Sequence, residues 1–338
     1  MKVFKRIIFW ILISLAIQFS GLLYLDKKVF VSSNNFKAVK VDDKVNTSEK
    51  EIAVLENTDY KVSFDSRYIS YLKDGKLNIT NTKTGESNIV KTDDSSIIVN
   101  YIWLSDRNRI LFVSRDKDSS SKSNFVLNYY DANKNESGTI EKLDYLSQGA
   151  IIDSIDASTL HNVTYIKVNE KGVKSVVYRI DINHKVTKES LASSIIGKIE
   201  VIPHEDRLVY EDDLNKKIFA TNPNISLSFQ GNAALLYIDS EDIVYTGIMN
   251  GDKVSKITYG SLSADTSTWK TVNLDAGVDE KDILITQKGN ILINDRLNGT
   301  IRDLTVGKEY SYKGTFLAIY DSGIASVSQG KLIKTIFQ

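Results

Sequence analysis

The stretch VSFDSRYISYLKDGKLNITNTKTGESNIV, Val62 to Val90, holds three short apolar runs separated by two polar turns, Lys73-Asp74-Gly75 and Lys83-Thr84-Gly85-Glu86. Runs of four to seven residues bounded by turn formers read as β-strands, and the Gly-containing turns read as hairpin connections. Looser copies of the unit recur toward the C-terminus. With Tyr68-Ile69-Ser70-Tyr71 as the anchor, matching runs begin around Ile110, Val163, Leu208, Ile243, Ile291 and Ile324. The steps run from roughly 33 to 53 residues and average about 42, the period of four-stranded propeller blades.

Each unit repeats one internal order. A first apolar strand precedes the anchor, as at Tyr101–Leu104, Ala150–Ile155, Ile199–Ile202, Ala234–Ile238, Ile283–Thr286 and Phe316–Tyr320. A polar turn and the anchor strand follow. An alternating third strand comes next, as at Leu77–Ile79, Phe125–Tyr129, Val176–Ile180, Ile257–Tyr259 and Ile301–Leu304, and a weaker fourth closes the unit. Helical periodicity is nearly absent, and only Ser190–Ile196 leaves room for a helical turn. The expected fold is therefore all-β: a β-propeller over residues 51–338 with seven four-stranded blades, six or eight being the alternatives. The seventh unit, Phe316–Phe337, has space for three strands only. An open ring would leave a bare sheet edge, so Glu51-Ile52-Ala53-Val54-Leu55 is expected to supply the missing strand and join the chain ends.

The Ser63–Tyr71 strand entry, S-x-D-x-R-Y-I-x-Y, and the Asn81–Glu86 turn, N-x-K-T-G-E, resemble those of bacterial membrane-anchored β-propellers of the broad TolB/WD40-like type. The resemblance spans about residues 51–338 and implies a propeller fold. Ser263–Trp269 also resembles an Asp-box turn of sialidase-like propellers, placed between third and fourth strands.

Upstream of the repeats, Ile7 to Leu25 contains no charged residue and follows the basic Met1–Arg6, which carries Lys2, Lys5 and Arg6. As a helix it would span roughly 28 Å, close to the hydrocarbon thickness of a bilayer. It is longer than the core of a cleaved signal peptide, and its best small-x-small site, Ser14-Leu15-Ala16, falls inside the run. The expectation is an uncleaved transmembrane signal-anchor over 7–25, with a cleaved signal and a buried soluble helix as the alternatives. A cytoplasmic tail of residues 1–6 precedes it, and a polar tether over 26–50 follows, with room for one short strand at Val29–Val31. The propeller is then expected outside the cytoplasmic membrane.

Composition narrows the function classes. The 338 residues balance 43 Lys+Arg against 43 Asp+Glu, which gives no electrostatic footprint for nucleic acid. With no cysteine, disulfides, thiolate metal sites and cysteine nucleophiles are excluded. No G-x-S-x-G elbow is present, so at most the chain resembles the propeller half of a prolyl peptidase. His161, His184 and His204 read as turn residues, since no H-E-x-x-H pairs them. Asp131–Ser137 places oxygens at alternate positions as calcium loops do, but Glu136 stands where that loop needs Gly and Lys142 where it needs Glu. The acidic groups Asp93-Asp94, Glu205-Asp206 and Glu211-Asp212-Asp213 fall at or near turns, and Asp118–Ser123 reads as a polar loop tip. No catalytic, cofactor-binding or metal residue is assigned and no cofactor is expected. The expected function is a non-catalytic binding or scaffold module with an envelope protein or cell-wall partner. The alternatives are an enzyme acting on envelope glycans or peptides with carboxylates at the channel mouth, and a sensor or assembly factor.

Overall fold

The computed structural model of the chain describes residues 51–55, 58–93, 95–117, 125–147 and 149–337, together with residues 6, 10, 14, 15, 18–20 and 22. The chain divides into two units, Met1–Ser48 and Glu49–Gln338. In the first, every described residue is helical. The expected span 7–25 lies mostly outside the described residues, and the tether, with Val29–Val31, wholly so. Among the described residues no helix is long and apolar enough to cross a membrane.

The second unit consists of seven antiparallel sheets in chain order, six of four strands and a last one of three. Every sheet is an up-and-down meander, so its strands run from innermost to outermost around a common axis, the architecture of a propeller. All seven anchor runs are second strands: Tyr68–Lys73, Arg109–Asp116, Val163–Lys171, Leu208–Asp212, Ile243–Asn250, Ile291–Asp295 and Gly323–Ser328. Six of the seven anchor residues are buried, and in the fifth blade Val244 takes that place while Ile243 is half-buried.

The expected closure is present. Ala53 bridges Lys331 in antiparallel sense, Val54 N–H donates to the Gly330 carbonyl at 2.8 Å, and Leu332 N–H donates to the Ile52 carbonyl at 2.9 Å. The Glu51 segment is thus the outermost strand of blade 7, outside Lys331–Ile336.

The hydrophobic core sits between blades. Leu77, Ile79, Ile110 and Phe112 pack blade 1 on blade 2. Leu111, Leu127, Ile155 and Ile166 do so for blades 2 and 3. Corresponding clusters occupy the next four seams. Ile52, Val54, Leu317 and Leu332 against Tyr60 and Ile69 fill the seventh. A flat four-stranded blade has apolar residues on both faces and cannot bury them alone, so each seam depends on its neighbours.

One local expectation is corrected. Ser190–Ile196 forms no helical turn, because side chains from the adjacent strand and from within the segment take its backbone donors: Ala192 N–H bonds the Tyr210 hydroxyl at 2.8 Å and Ile195 N–H the Ser193 hydroxyl at 3.2 Å. Ile196 instead begins the innermost strand of blade 4, Ile196–Val201. Among the described residues of the second unit, helical turns occur instead as 3-10 turns at Thr266–Thr268 and Glu280–Asp282. The first lies inside the Asp-box-like segment, where Asp265 caps it by accepting the Ser267 N–H at 2.8 Å and Trp269 is buried against Phe229. The segment therefore acts as a blade-locking turn.

Candidate functional site

In an up-and-down blade, the turns joining strands one to two and three to four lie on one face of the ring. The turns joining two to three, and the links between blades, lie on the other. On the first face neighbouring turns bond to one another. Asn108 Nδ2 donates to Asp65 at 3.0 Å, the Ser158 hydroxyl to the Pro203 carbonyl at 2.7 Å, and His204 N–H to Asp242 at 2.9 Å. Ser240 donates twice to the Gln287 carbonyl, Lys288 pairs with Asp321 at 2.9 Å, and Asp321 N–H reaches the Phe64 carbonyl at 2.9 Å. From the same turn of blade 6, the Gln287 amide donates to the Ser105 carbonyl of blade 2. That bond joins non-adjacent blades and so bars the axial mouth on this face.

The innermost strands carry bulges, which free backbone groups where neighbouring blades meet. Asp153 is the extra residue in blade 3, and its carbonyl accepts Asn100 Nδ2 of blade 2 at 2.8 Å. Leu236 is the extra residue in blade 5, and its carbonyl accepts the Lys198 ammonium of blade 4. Lys198 also pairs with Glu200 at 3.0 Å. Asp156 of blade 3 accepts the Val201 N–H at 2.6 Å and the Ala157 N–H at 2.8 Å. These charges interact strongly. Burial, and then the Glu200 carboxylate, push Asp156 up to about 8. Burial opposes the charge on Lys198, but Glu200, together with Glu280 and Glu211, outweighs it and raises Lys198 above the usual lysine range. Tyr237 of blade 5 is pushed up by burial and by Glu200 and Asp156.

A pH dependence follows from Asp156. The folded protein holds that proton to about pH 8, whereas an unfolded chain releases it near pH 4. The proton's stabilising contribution is therefore complete below about pH 4 and lost as pH rises toward 8. Thermal melts from pH 5 to 9 are expected to show a falling midpoint, and Asp156→Asn should remove most of that fall. Parallel profiles for wild type and variant would refute the assignment.

A second concavity opens on the first face, between blades 2 and 3, and encloses about 250 Å³. Its floor is apolar: Leu104, Leu111, Ile140, Val163 and Ile180. Its mouth carries Arg107, Arg109 and His184. Arg109 lies over the Tyr129 ring at 5.1 Å and pairs with Asp131 at 3.2 Å, while its buried Nε has no partner. Arg107 grips Asp106 through two bonds. Although burial works against it, the hydrogen bonds from Arg107 and Thr159 hold the Asp106 carboxyl below its usual range.

Of the acidic residues noted in the sequence, Asp131 and Asp212 staple their own turns, as Asp303 of blade 6 also does. Asp131 accepts the N–H groups of Asn133 and Lys134, Asp212 those of Leu214 and Asn215, and Asp303 those of Thr305 and Val306. Asp131–Ser137 is accordingly the third-to-fourth-strand turn of blade 2. Asp206 ties blade 4 to blade 3 by binding the Arg179 guanidinium and the Tyr165 hydroxyl, and the Arg179 bond is the main reason its carboxyl lies below the usual range. Glu211 receives the backbone N–H groups of Lys198 and Leu235. Asp94 and Asp118–Ser123 lie outside the described residues. The histidines sit in turns as expected, with His161 Nε2 donating to the His204 carbonyl at 2.7 Å and His184 facing Glu141 at 3.5 Å. Among the described residues no three His, Asp or Glu side chains are grouped to hold a metal.

No protein-family model matches the chain, and no curated protein does either. Among solved structures it is similar to Kluyveromyces lactis Hsv2, at 11% identity over 84% of this chain and 90% of that one, with a TM-score of 0.49. It is also similar to TolB from Acinetobacter baumannii, at 14% identity over 71% and 62%, TM-score 0.44. A third likeness is to prolyl endopeptidases, at 10% identity over 79% of this chain but 45% of that one, TM-score 0.50. The chain is a seven-bladed β-propeller. At these identities the likeness is one of fold alone, and the strand order of the seven sheets is what shows the propeller.

The innermost-strand residues Asp156, Lys198, Glu200 and Tyr237 and the groove residue Arg107 were not singled out from the sequence. Their signal was faint: charged residues inside runs such as IIDSIDAS and IGKIEV, which the topology makes innermost strands.

Proposed function

We propose that the protein is a non-catalytic binding or scaffold module held at the cytoplasmic membrane through Ile7–Leu25, with Met1–Arg6 inside and the propeller outside. The observation that carries the reading is how the carboxylates are used. The acidic turn residues accept backbone N–H groups of their own turns or stitch neighbouring blades, as Asp131, Asp206, Asp212 and Asp303 do. A ring so occupied offers a rigid rim for contacts, and binding residues are commonly displayed on loops set by such a scaffold. The second reading, an envelope glycan- or peptide-acting enzyme, draws on Asp156 and Glu200 on adjacent innermost strands. Against it, Asp156 is held by two backbone donors and Glu200 by Lys198.

The absence of cysteine makes the topology directly testable. Lys134→Cys, at an exposed turn, should react with a membrane-impermeant maleimide in intact cells, and Lys5→Cys only after lysis. The reverse pattern would overturn the orientation. For the binding role, the full chain and a 1–50 fragment should be captured from membranes side by side. Partners retained by the fragment alone would count against a propeller-borne function.

A further inference from the structure

We infer that the seam between blades 2 and 3 is the docking groove for a partner polypeptide that inserts one large apolar side chain next to a carboxylate. This rests on the binding-module reading and names the partner's chemistry. Three observations carry it. The cavity is closed below by five aliphatic side chains and encloses about 250 Å³. That is small against the roughly 300–1,000 Å³ of pockets that engulf a whole small molecule, and suits a single anchoring side chain.

The groove also continues beyond the cavity. Leu160 and Ile182, on the two blade-3 turns that flank it, are 63% and 61% exposed. Apolar side chains of that size along a rim extend the contact to residues either side of an anchor, which a polypeptide provides.

Charge at the mouth gives the third observation. Arg107, Arg109 and His184 face a lining with one carboxylate, Asp181. Their existing partners, Asp106, Asp131 and Glu141, lie outside the lining and leave donors over. Arg109 in particular keeps a buried Nε with no acceptor. That Nε is enclosed, but the Arg109 side chain is 36% exposed and spends one terminal N–H on Asp131, so its remaining terminal N–H groups face an oxygen anion carried next to the inserted side chain.

The test is selection of a displayed library of random hexapeptides against the full chain in lipid nanodiscs. Counter-selection uses Thr159→Trp, which fills the mouth, and affinities are then measured for Arg109→Gln. Thermal melts of both variants verify folding. The expected result is enrichment of peptides with Leu, Ile or Phe beside Asp or Glu. Replacing that acid by its amide, or Arg109 by Gln, should weaken binding about tenfold. No enrichment, enrichment without an acid, or equal binding to folded Thr159→Trp would overturn the groove. If peptides enrich but bind elsewhere on the propeller, the groove fails while the binding-module reading stands. If the peptides enrich as expected yet cellular partners are retained by the 1–50 fragment, the opposite holds.

Discussion

Gly314→Ala is expected to lower folding stability by about 3–5 kcal/mol. Gly314 lies in the link from blade 6 to blade 7, immediately before the strand Thr315–Tyr320. Its φ is +81°, a region costing a residue with a Cβ about 1–2 kcal/mol. The larger penalty is steric. A Cβ there would stand 2.0 Å from the Val327 carbonyl oxygen and 2.7 Å from its carbon. Both are backbone atoms of a paired strand, so relief requires moving the Thr315–Val327 pairing itself. Gly307 is the control, with φ +69° and nothing within 4 Å of its Cβ position. Gly307→Ala should therefore lose only what the left-handed backbone costs, about 1–2 kcal/mol. Urea midpoints at unchanged slope measure both, and equal losses would show that the close approach carries no cost.

The second large effect is expected at the closing strand. Ile52 and Val54 are buried between blade 7 and blade 1, together with Tyr60, Ile69 and Leu332. Replacing both by Asp removes two apolar anchors and places two charges in an apolar seam. At about 3–5 kcal/mol for each buried, unpaired charge, the sum approaches the whole stability of an ordinary domain. Ile52→Asp with Val54→Asp should therefore abolish the cooperative melt and send the protein to aggregates on size exclusion. The ion pair between Glu51 and Lys331, 2.6 Å but largely exposed, serves as contrast. Glu51→Gln should change stability by less than about 1 kcal/mol. A double Asp variant that melts like the wild type would mean that the ring does not depend on this strand.

The fold was legible because its signal is repeated. A four-residue apolar run such as Arg109-Ile110-Leu111-Phe112 is ambiguous alone, but seven at a blade-like period are not. Closure was legible because an unassigned strand and an incomplete blade stood at opposite ends of one array. The internal sites were not. Bulges at Asp153 and Leu236 depend on how innermost strands crowd around the axis, and no local pattern announces them. The meeting of Asp156 with Glu200 joins residues on two blades, and the groove at Arg109 is set by the spacing of a seam. Ser190–Ile196 misled for a related reason, since the Tyr210 hydroxyl that captures its backbone belongs to a different strand.

The pairing of Ala53 with Lys331 also fixes an order of events. Six of the seven seams join blades that are consecutive in the chain, and they can form as the ribosome or a translocation channel releases them. The seventh joins the first strand made to the last. Until Lys331–Ile336 emerges, the Ile52–Val54 strand has no partner and the apolar flank of blade 1 stays open. The final step is a closure over nearly the whole length of the propeller, the kind of long-range contact that slows folding and exposes edges to other chains. The interval before that closure is when this protein most needs a chaperone.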